Sequence, residues 1–276
     1  MNWWCSATGK NWTWQWSPYL GAWLMFLFLG VCLLLAWRKD RDFPLRRKFS
    51  AVLGLVILLI ATDWPLATLG AGYFISVQMA RQVLVVFIAV PLLLYGAPPV
   101  VGRWLAAGQR RRRVLATITR PLVAVITANV ILIATMSPYF ADRLISSQWG
   151  SFALDIAWIV AGFIIWFPLQ PPTPLTPRLV GPFALVYLII QSIVPLPVAF
   201  FMTWAEYPLF AVYELAPRVF ASFDAIQDQQ LGAAILQVVG GLIIWAQIAF
   251  RFLHWAVERE RNDLEEFEPH EETISV

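Results

Sequence analysis

Seven long apolar runs restrict this chain to one class of fold. Each run is close to the ~20 residues that an α-helix needs to cross a lipid bilayer. Of the 276 residues, 59% are hydrophobic and 13% are charged, whereas a soluble globular domain is nearer half apolar and a quarter charged. The sequence therefore predicts an all-α integral membrane protein with seven transmembrane helices. The predicted helices lie at residues 18–37, 49–69, 73–95, 122–139, 152–169, 183–203 and 231–254.

The basic residues predict how these helices are oriented. Most of the 20 Lys and Arg residues fall in the first, third and fifth loops or at the C-terminal end, including four consecutive arginines at 110–113. Loops rich in Lys and Arg stay in the cytoplasm, so the N-terminus is expected outside and the C-terminus inside. The arginine run is expected to set this topology and to touch anionic lipid headgroups. Nucleic-acid binding is not indicated.

The chain divides into three predicted regions. Residues 1–17 form an external segment rich in Trp, 18–255 form the seven-helix domain, and 256–276 form an acidic cytoplasmic tail that we expect to be disordered. The tryptophans of the first region favour an anchor at the membrane interface, with a docking surface for a partner as the alternative. In the sixth helix, Pro195 and Pro197 predict a break.

A polar face marks the third predicted helix. Gln78, Arg81 and Gln82 have the i, i+3, i+4 spacing that places side chains on one face of a helix. A fixed charge within a spanning helix costs at least roughly 2.5–3.5 kcal/mol unless it is paired or hydrated. We therefore expect other helices to supply partners for this face.

Three carboxylates are candidate partners for Arg81, because the predicted topology places all of them in the outer half of the membrane. Asp155 is the favoured partner, Asp63 is the second choice, and Asp228 also lies at a similar predicted depth. Two interpretations remain open: a buried network that fixes helix packing, or a polar site that engages a partner, an ion or a cofactor group. Asn129, Gln191, Gln237 and Gln247 are interpreted as interhelical hydrogen-bonding groups.

The sequence contains few residues that could carry out catalysis or bind a metal. Of the two histidines, His254 lies at the inner end of the last predicted helix and His270 lies in the acidic tail, so neither reaches the outer polar cluster. The sequence offers no nucleophile with a neighbouring base, no phosphate-binding glycine loop and no Cys-x-x-Cys motif. We therefore predict a protein that is not an enzyme.

Several short motifs, in this order, resemble one known family. They are Trp14-Gln-Trp-Ser-Pro18, Thr62-Asp-Trp-Pro65, Pro91-Leu-Leu-Leu-Tyr-Gly-Ala-Pro98, Ala153-Leu-Asp155 with Ile165-Trp-Phe-Pro168, and Asp228-Gln-Gln-Leu-Gly232. The chain resembles the CtaG family of seven-helix bacterial cytochrome c oxidase assembly proteins from about Trp12 to Trp255. The resemblance implies a multi-pass protein of the bacterial plasma (inner) membrane that helps to make an active haem–copper oxidase. The implied partner is a cytochrome c oxidase subunit or another oxidase assembly protein.

The chain also departs from the pattern of that family. The third helix of the family usually reads His-Met-x-x-His, where this chain has Gln78-Met79-Ala80-Arg81-Gln82, and the usual Glu-His of the fifth helix is Asp155-Ile156. Gln and Arg are poor copper ligands, so we predict no cofactor and no metal site. The predicted functional network comprises Asp63, Gln78, Met79, Arg81, Gln82, Asp155, Asp228 and Gln229.

Three functions follow from these observations. The favoured one is an oxidase assembly factor that acts as a membrane scaffold through an outer polar network around Arg81. The first alternative is a copper-handling chaperone for the oxidase. The second is a small transporter or channel with its site near Arg81, although the inner half of the predicted bundle offers few polar groups.

Overall fold

The computed structural model describes residues 2–40, 42–171, 173, 178–220 and 222–271, with side chains up to residue 263. Within these residues the regular elements are helices. Five of the described helices are long and apolar enough to cross a membrane, and two bent pairs raise the number to seven if each pair is one span. The chain is therefore a multi-pass membrane protein by helix composition, and the predicted seven spans are reached when both bent pairs are counted.

The helices follow one another with short connections. In chain order they are α1 (Leu20–Arg38), α2 (Leu45–Thr62), α3 (Leu66–Gly72), α4 (Ile75–Val83), α5 (Val90–Tyr95), α6 (Pro99–Leu105), α7 (Gln109–Ile118), α8 (Pro121–Met136), α9 (Pro138–Ile145), α10 (Gln148–Trp166), α11 (Gly181–Ile193), α12 (Leu196–Trp204), α13 (Ala211–Glu214), α14 (Ala225–Ala234) and α15 (Gly240–Glu271). Two π-helical segments, Leu84–Ala89 and Ile235–Val239, connect α4 to α5 and α14 to α15 without ending the span.

Proline and loop residues explain where the spans bend. The predicted break in the sixth span is confirmed, because α11 ends at Ile193 and α12 begins after Pro195. Proline has no N–H for the helical ladder and clashes with the preceding turn. The bent pair α2 and α3 turns by 42° next to Pro65, and α7 and α8 meet at 80° next to Pro121.

The span formed by α4, the first π-helical segment and α5 lies at the centre of the bundle. Of its apolar window 61% is buried, compared with 11% for the peripheral α1. α4 packs against α3 and α14, and the π-helical segment after it packs against α2 and α10. This central position explains why the polar residues of α4 must find partners within the protein.

The two ends of the chain differ from the expected regions. Residues from 256 onward were expected to be disordered, but α15 continues as a helix to Glu271, and 272–276 lie outside the described residues. His254 and Glu258, one turn apart, pair at 3.1 Å in this part of the helix, and such i, i+4 pairs support helices. At the N-terminus, Trp4 and Cys5 are fully buried, so part of the predicted external segment belongs to the core.

Candidate functional site

Arg81 is the centre of a buried polar cluster. Its guanidinium donates through Nη2 to both carboxylate oxygens of Asp155, each at 2.9 Å. Nε donates to the carbonyl of Ala61 at 2.6 Å, and Nη1 donates to Oε1 of Gln78 at 2.6 Å. Arg81 is 0% exposed and Asp155 is 1% exposed. The predicted pairing of Arg81 with Asp155 is confirmed.

The N-terminal segment supplies a further hydrogen bond to Asp155. The indole Nε1 of Trp4 donates to Oδ2 of Asp155 at 2.9 Å. The neighbouring Cys5 lies with its Sγ 3.3 Å from Oγ of Ser151 and 4.0 Å from Nη2 of Arg81. Arg81, Asp155 and Trp4 therefore connect α4, α10 and the N-terminal segment through one carboxylate.

Backbone contacts fix the same segment to the bundle. The N–H of Trp3 donates to Oε1 of Gln148 at 3.0 Å, and the N–H of Ala7 donates to the carbonyl of Ile145 at 3.0 Å. The carbonyl of Trp3 accepts from the N–H of Gly21 at 2.8 Å. The segment is thus held by α1, α9 and α10, whereas Trp14 and Trp16 further along remain exposed. The interpretation as an interfacial anchor does not describe Trp4.

Asp63 does not pair with Arg81. It ends α2, and its Oδ1 accepts from the N–H of Tyr19 at 2.8 Å while its Oδ2 accepts from Nε1 of Trp23 at 2.9 Å. Its carboxylate therefore joins α2 to the start of α1. The second-choice pairing of Arg81 with Asp63 was wrong, because Tyr19, directly before α1, and Trp23 of α1 donate to this carboxylate instead.

Asp228 does not pair with Arg81 either, and its carboxylate binds the start of α4 instead. Its carboxylate accepts from the N–H of Ile75 at 2.7 Å, from the N–H of Ser76 at 3.2 Å and from the hydroxyl of Ser76. The first N–H groups of a helix lack helical partners, and a carboxylate at this end also favours the helix dipole. Asp228 of α14 therefore caps α4 and fixes the helix that carries Arg81.

Gln229 links α14 to neighbouring segments, and Met79 lies in the contact between α4 and α14. Gln229 donates to the carbonyl of Met202 at 2.9 Å and accepts from the N–H of Leu209 at 2.7 Å. Met79 is 3% exposed, and a Cβ placed on Gly232 would lie 3.4 Å from its Cγ. Gly232 thus lets α14 approach α4 closely, and Met79 fills the contact.

Two amide atoms of α4 lack hydrogen-bond partners in the described residues. They are Nε2 of Gln78 and Oε1 of Gln82, and both residues are at most 2% exposed. One is a donor and the other an acceptor, and the two residues are one turn apart on the face that carries Arg81. An unsatisfied buried polar group costs about 1–3 kcal/mol, so this part of the cluster is under-satisfied while Arg81 itself is well satisfied.

Three further residues at the site, Trp158, Gly70 and Tyr213, were not predicted from the sequence. The Arg81 Cζ lies 5.7 Å from the ring centroid of Trp158. A Cβ on Gly70 would lie 2.7 Å from Oε1 of Gln78 and 2.8 Å from Cδ of Arg81, so α3 crosses the cluster only with glycine there. The hydroxyl of Tyr213 donates to the carbonyl of Gly70 at 2.7 Å. These roles depend on helix crossings, which local sequence does not specify.

Away from this cluster, a neutral amide pair links α8 and α11. Nδ2 of Asn129 donates to Oε1 of Gln191 at 3.0 Å, and Nε2 of Gln191 donates to Oδ1 of Asn129 at 3.3 Å. The predicted role of these two amides as interhelical hydrogen-bonding groups is confirmed.

The residues around Arg81 do not fit a copper ion. Across the part of the chain that the structure describes, His, Cys, Asp and Glu side chains do not gather in groups of three. Burial raises the pKa of the Cys5 thiol to about 11, and copper binds the thiolate rather than the thiol. The guanidinium of Arg81, 4.0 Å from that sulfur, adds a positive charge where a cation would have to bind.

Comparison with protein families decides where this fold belongs. The family model of the cytochrome c oxidase caa3 assembly factors, Caa3_CtaG, matches residues 3–258. The chain belongs to this family. The resemblance seen in the sequence motifs is thereby confirmed over nearly the whole chain. Comparisons with curated proteins and with solved structures found no match.

The Caa3_CtaG match covers every residue of the polar cluster. Trp4, Arg81, Asp155 and Asp228 all lie within residues 3–258. The buried N-terminal segment is therefore part of the family domain, although sequence reasoning had separated it from the helices. The family is described as one of assembly factors for the caa3 cytochrome c oxidase.

Proposed function

We propose that this chain is an assembly factor for a haem–copper cytochrome c oxidase in a bacterial plasma membrane, and that it acts as a scaffold without holding metal. The observation that carries the proposal is the family match over residues 3–258 together with the Arg81–Asp155 pair inside it. The partner is an oxidase subunit or another assembly protein. The scaffold contributes a fixed surface rather than a reaction.

The Arg81 cluster supplies the rigidity that a scaffold needs. Three parts of the chain accept hydrogen bonds from one guanidinium: α2 through Ala61, α4 through Gln78, and α10 through Asp155. The N-terminal segment joins them because Trp4 donates to the same Asp155 carboxylate. Breaking a buried ion pair by removing one partner costs about 3–5 kcal/mol. The N-terminal segment and the neighbouring helix ends are thus held in one arrangement, and this end of the bundle is the surface we propose for the partner.

The distribution of charge supports the predicted orientation. The arginine-rich α7 and the end of α10 share one groove, and Arg47 of α2 lies 5.2 Å from the ring of Tyr95 at the end of α5. Asp63, Asp228 and the N-terminal segment lie at the other ends of the spans. With basic residues in the cytoplasm, the Arg81 cluster lies toward the outside and the N-terminus is external.

A deletion strain tests the assembly function. Loss of the chain should reduce haem–copper oxidase activity in membranes, and the wild-type gene should restore it. The purified protein should contain no stoichiometric copper. Unchanged oxidase activity in the deletion strain would refute the role of this chain in oxidase assembly.

Paired substitutions test the role of the cluster. The double variant Arg81→Met with Asp155→Leu removes both charges together, so it avoids an unpaired buried charge and should accumulate in the membrane. It also removes the acceptor for Trp4, and we expect oxidase activity to fall at least about tenfold.

The matched control is Asn129→Leu with Gln191→Leu, which removes the amide pair between α8 and α11. This variant should keep oxidase activity at an equal protein level. Full activity of the charge-free variant at normal abundance would show that the cluster only fixes packing, which is the interpretation that sequence reasoning left open.

A further inference from the structure

A groove at the arginine-rich end of the bundle has no role in the proposed scaffold. It has a volume of about 520 Å³, within the roughly 300–1,000 Å³ of small-molecule sites. Its lining residues, called the arginine groove below, include Trp104, Arg110, Arg111, Val114, Ile118 and Phe167. They come from α6, α7 and the end of α10.

The arginine groove combines an apolar floor with a cationic rim. Phe167 is buried at 8% exposure, while the arginines at 110 and 111 are exposed. The Cζ of Arg111 lies 5.2 Å from the ring centroid of Trp104, which holds this guanidinium beside the opening. A ligand that fits must therefore carry a negative group and an apolar body.

The position of α7 suits the membrane surface. α7 meets the spanning helix α8 at 80°, so it lies across the end of the bundle rather than along it. The arginines occupy the first half of α7, and apolar residues such as Val114 and Ile118 lie in its second half. Basic side chains beside apolar ones are typical of the boundary between headgroups and acyl chains. Tryptophans such as Trp104 are also enriched at this depth.

The described residues form no ion pair with the cationic rim. Residues 64–141 contain no Asp or Glu, and the ion pairs of the described residues do not involve the arginines at 110–113. An unpaired cluster of basic groups beside an apolar groove complements a phosphodiester with an attached acyl chain. A free phosphate ion would leave the apolar floor unused.

We propose that the arginine groove binds one acidic phospholipid of the membrane. Its phosphate lies between Arg110 and Arg111, and an acyl chain lies against Val114, Ile118 and Phe167. Such a lipid would fix the angle between α7 and α8 at the end of the bundle opposite the Arg81 cluster. The site is independent of the assembly function.

Native mass spectrometry of the delipidated full chain tests this site. The protein is titrated with phosphatidylglycerol and with phosphatidylcholine of the same acyl chains. We expect tight uptake of one phosphatidylglycerol. The variant Arg110→Gln with Arg111→Gln should bind it about 30-fold more weakly, at roughly fivefold for each arginine. Val114→Trp, which fills the groove, should also weaken uptake.

The chain offers a matched control for charge. The variant Arg112→Gln with Arg113→Gln removes the same charge from the same exposed run but not from the groove lining, and its binding should change less than about threefold. Equal weakening by both double variants, or equal uptake of the two lipids by the wild type, would overturn the proposal.

The acidic end of the chain is the competing occupant. Its glutamates at 265, 266, 268, 271 and 272 could neutralise the same arginines. A full-length variant with all five changed to Gln should bind phosphatidylglycerol as the wild type does. A large gain in lipid affinity in this variant would assign the arginine groove to the chain's own end and refute lipid as its occupant.

Discussion

Asp155→Leu gives the most direct measure of the buried cluster. The substitution leaves Arg81, which is 0% exposed, with its charge unpaired, and leaves the Trp4 indole N–H without its acceptor. Removing one partner of a buried ion pair costs about 3–5 kcal/mol. Arg81→Met should cost a similar amount, because it strips the carboxylate of its counterion and leaves the Ala61 carbonyl and Gln78 Oε1 without their donor.

The double variant separates the ion pair from its surroundings. With both charges removed, the Trp4 N–H, the Ala61 carbonyl and Gln78 Oε1 stay unpaired, but each of these losses also occurs in one of the single variants and cancels in the cycle. The coupling energy therefore reports the unpaired buried charge that the double variant avoids, and it should be clearly larger than that of a neutral hydrogen-bonded pair. Reversible unfolding of the purified protein in bicelles measures all four species.

A control cycle on Asn129 and Gln191 calibrates the result. This neutral pair spans α8 and α11 at 3.0 and 3.3 Å, and interhelical hydrogen bonds in membranes average about 0.6 kcal/mol. Additive single effects at Arg81 and Asp155, or a coupling no larger than that of the amide pair, would refute the account of a charge pair buried at low dielectric.

Three further predictions concern the same region. Gly70→Ala should lower the unfolding free energy by about 1–3 kcal/mol, because the added Cβ would lie less than 3 Å from side-chain atoms of Gln78 and Arg81. Gly30→Ala in α1, where the added Cβ meets open space, should be neutral or stabilising in the same thermal melt. In a Cys32→Ser background, Cys5 should resist maleimide at pH 8 and react after denaturation. The reason is that a thiol with a pKa of about 11 is only about 0.1% thiolate at that pH and gains reactivity only as the pH rises. Rapid labelling of the folded protein would contradict the burial of Cys5. Trp4→Phe removes one hydrogen bond to a carboxylate and should cost about 1.5–3 kcal/mol, with faster proteolysis of the N-terminal segment, and unchanged proteolysis would argue against its attachment through Asp155.

Hydropathy and depth were enough to predict much of this architecture. Apolar length located the spans, Pro195 located the break in the sixth, and the rise per residue along a helix placed Asp155 at the depth of Arg81. Each of these inferences uses a constraint that the bilayer imposes on a single helix. The pairing followed because a charge in a central helix must meet an opposite charge at the same depth.

The wrong predictions concern residues whose partners come from neighbouring segments of the chain. Depth alone made Asp63 as suitable as Asp155, but Tyr19, directly before α1, and Trp23 of α1 donate to Asp63. Trp4 and Trp14 look alike in sequence, yet one is fully buried and the other is 68% exposed. Which tryptophan returns to the core depends on the contacts of Trp3 and Ala7 with Gln148 and Ile145, and these are tertiary contacts without a local pattern.

The buried guanidinium also explains how the family scaffold accommodates Gln78 and Gln82 at its centre. A cation at this position is compatible with the bundle only if a carboxylate, a carbonyl and an amide oxygen surround it, and Asp155, Ala61 and Gln78 provide these three. Gln78 accepts from Arg81 with its side-chain oxygen, and its Nε2 has no hydrogen-bond partner among the described residues. The same arrangement repels a metal cation, because the positive charge of Arg81 lies among the groups that would have to bind it. This repulsion is the physical reason for proposing a scaffold role, rather than a metal-carrying one, for the site around Arg81.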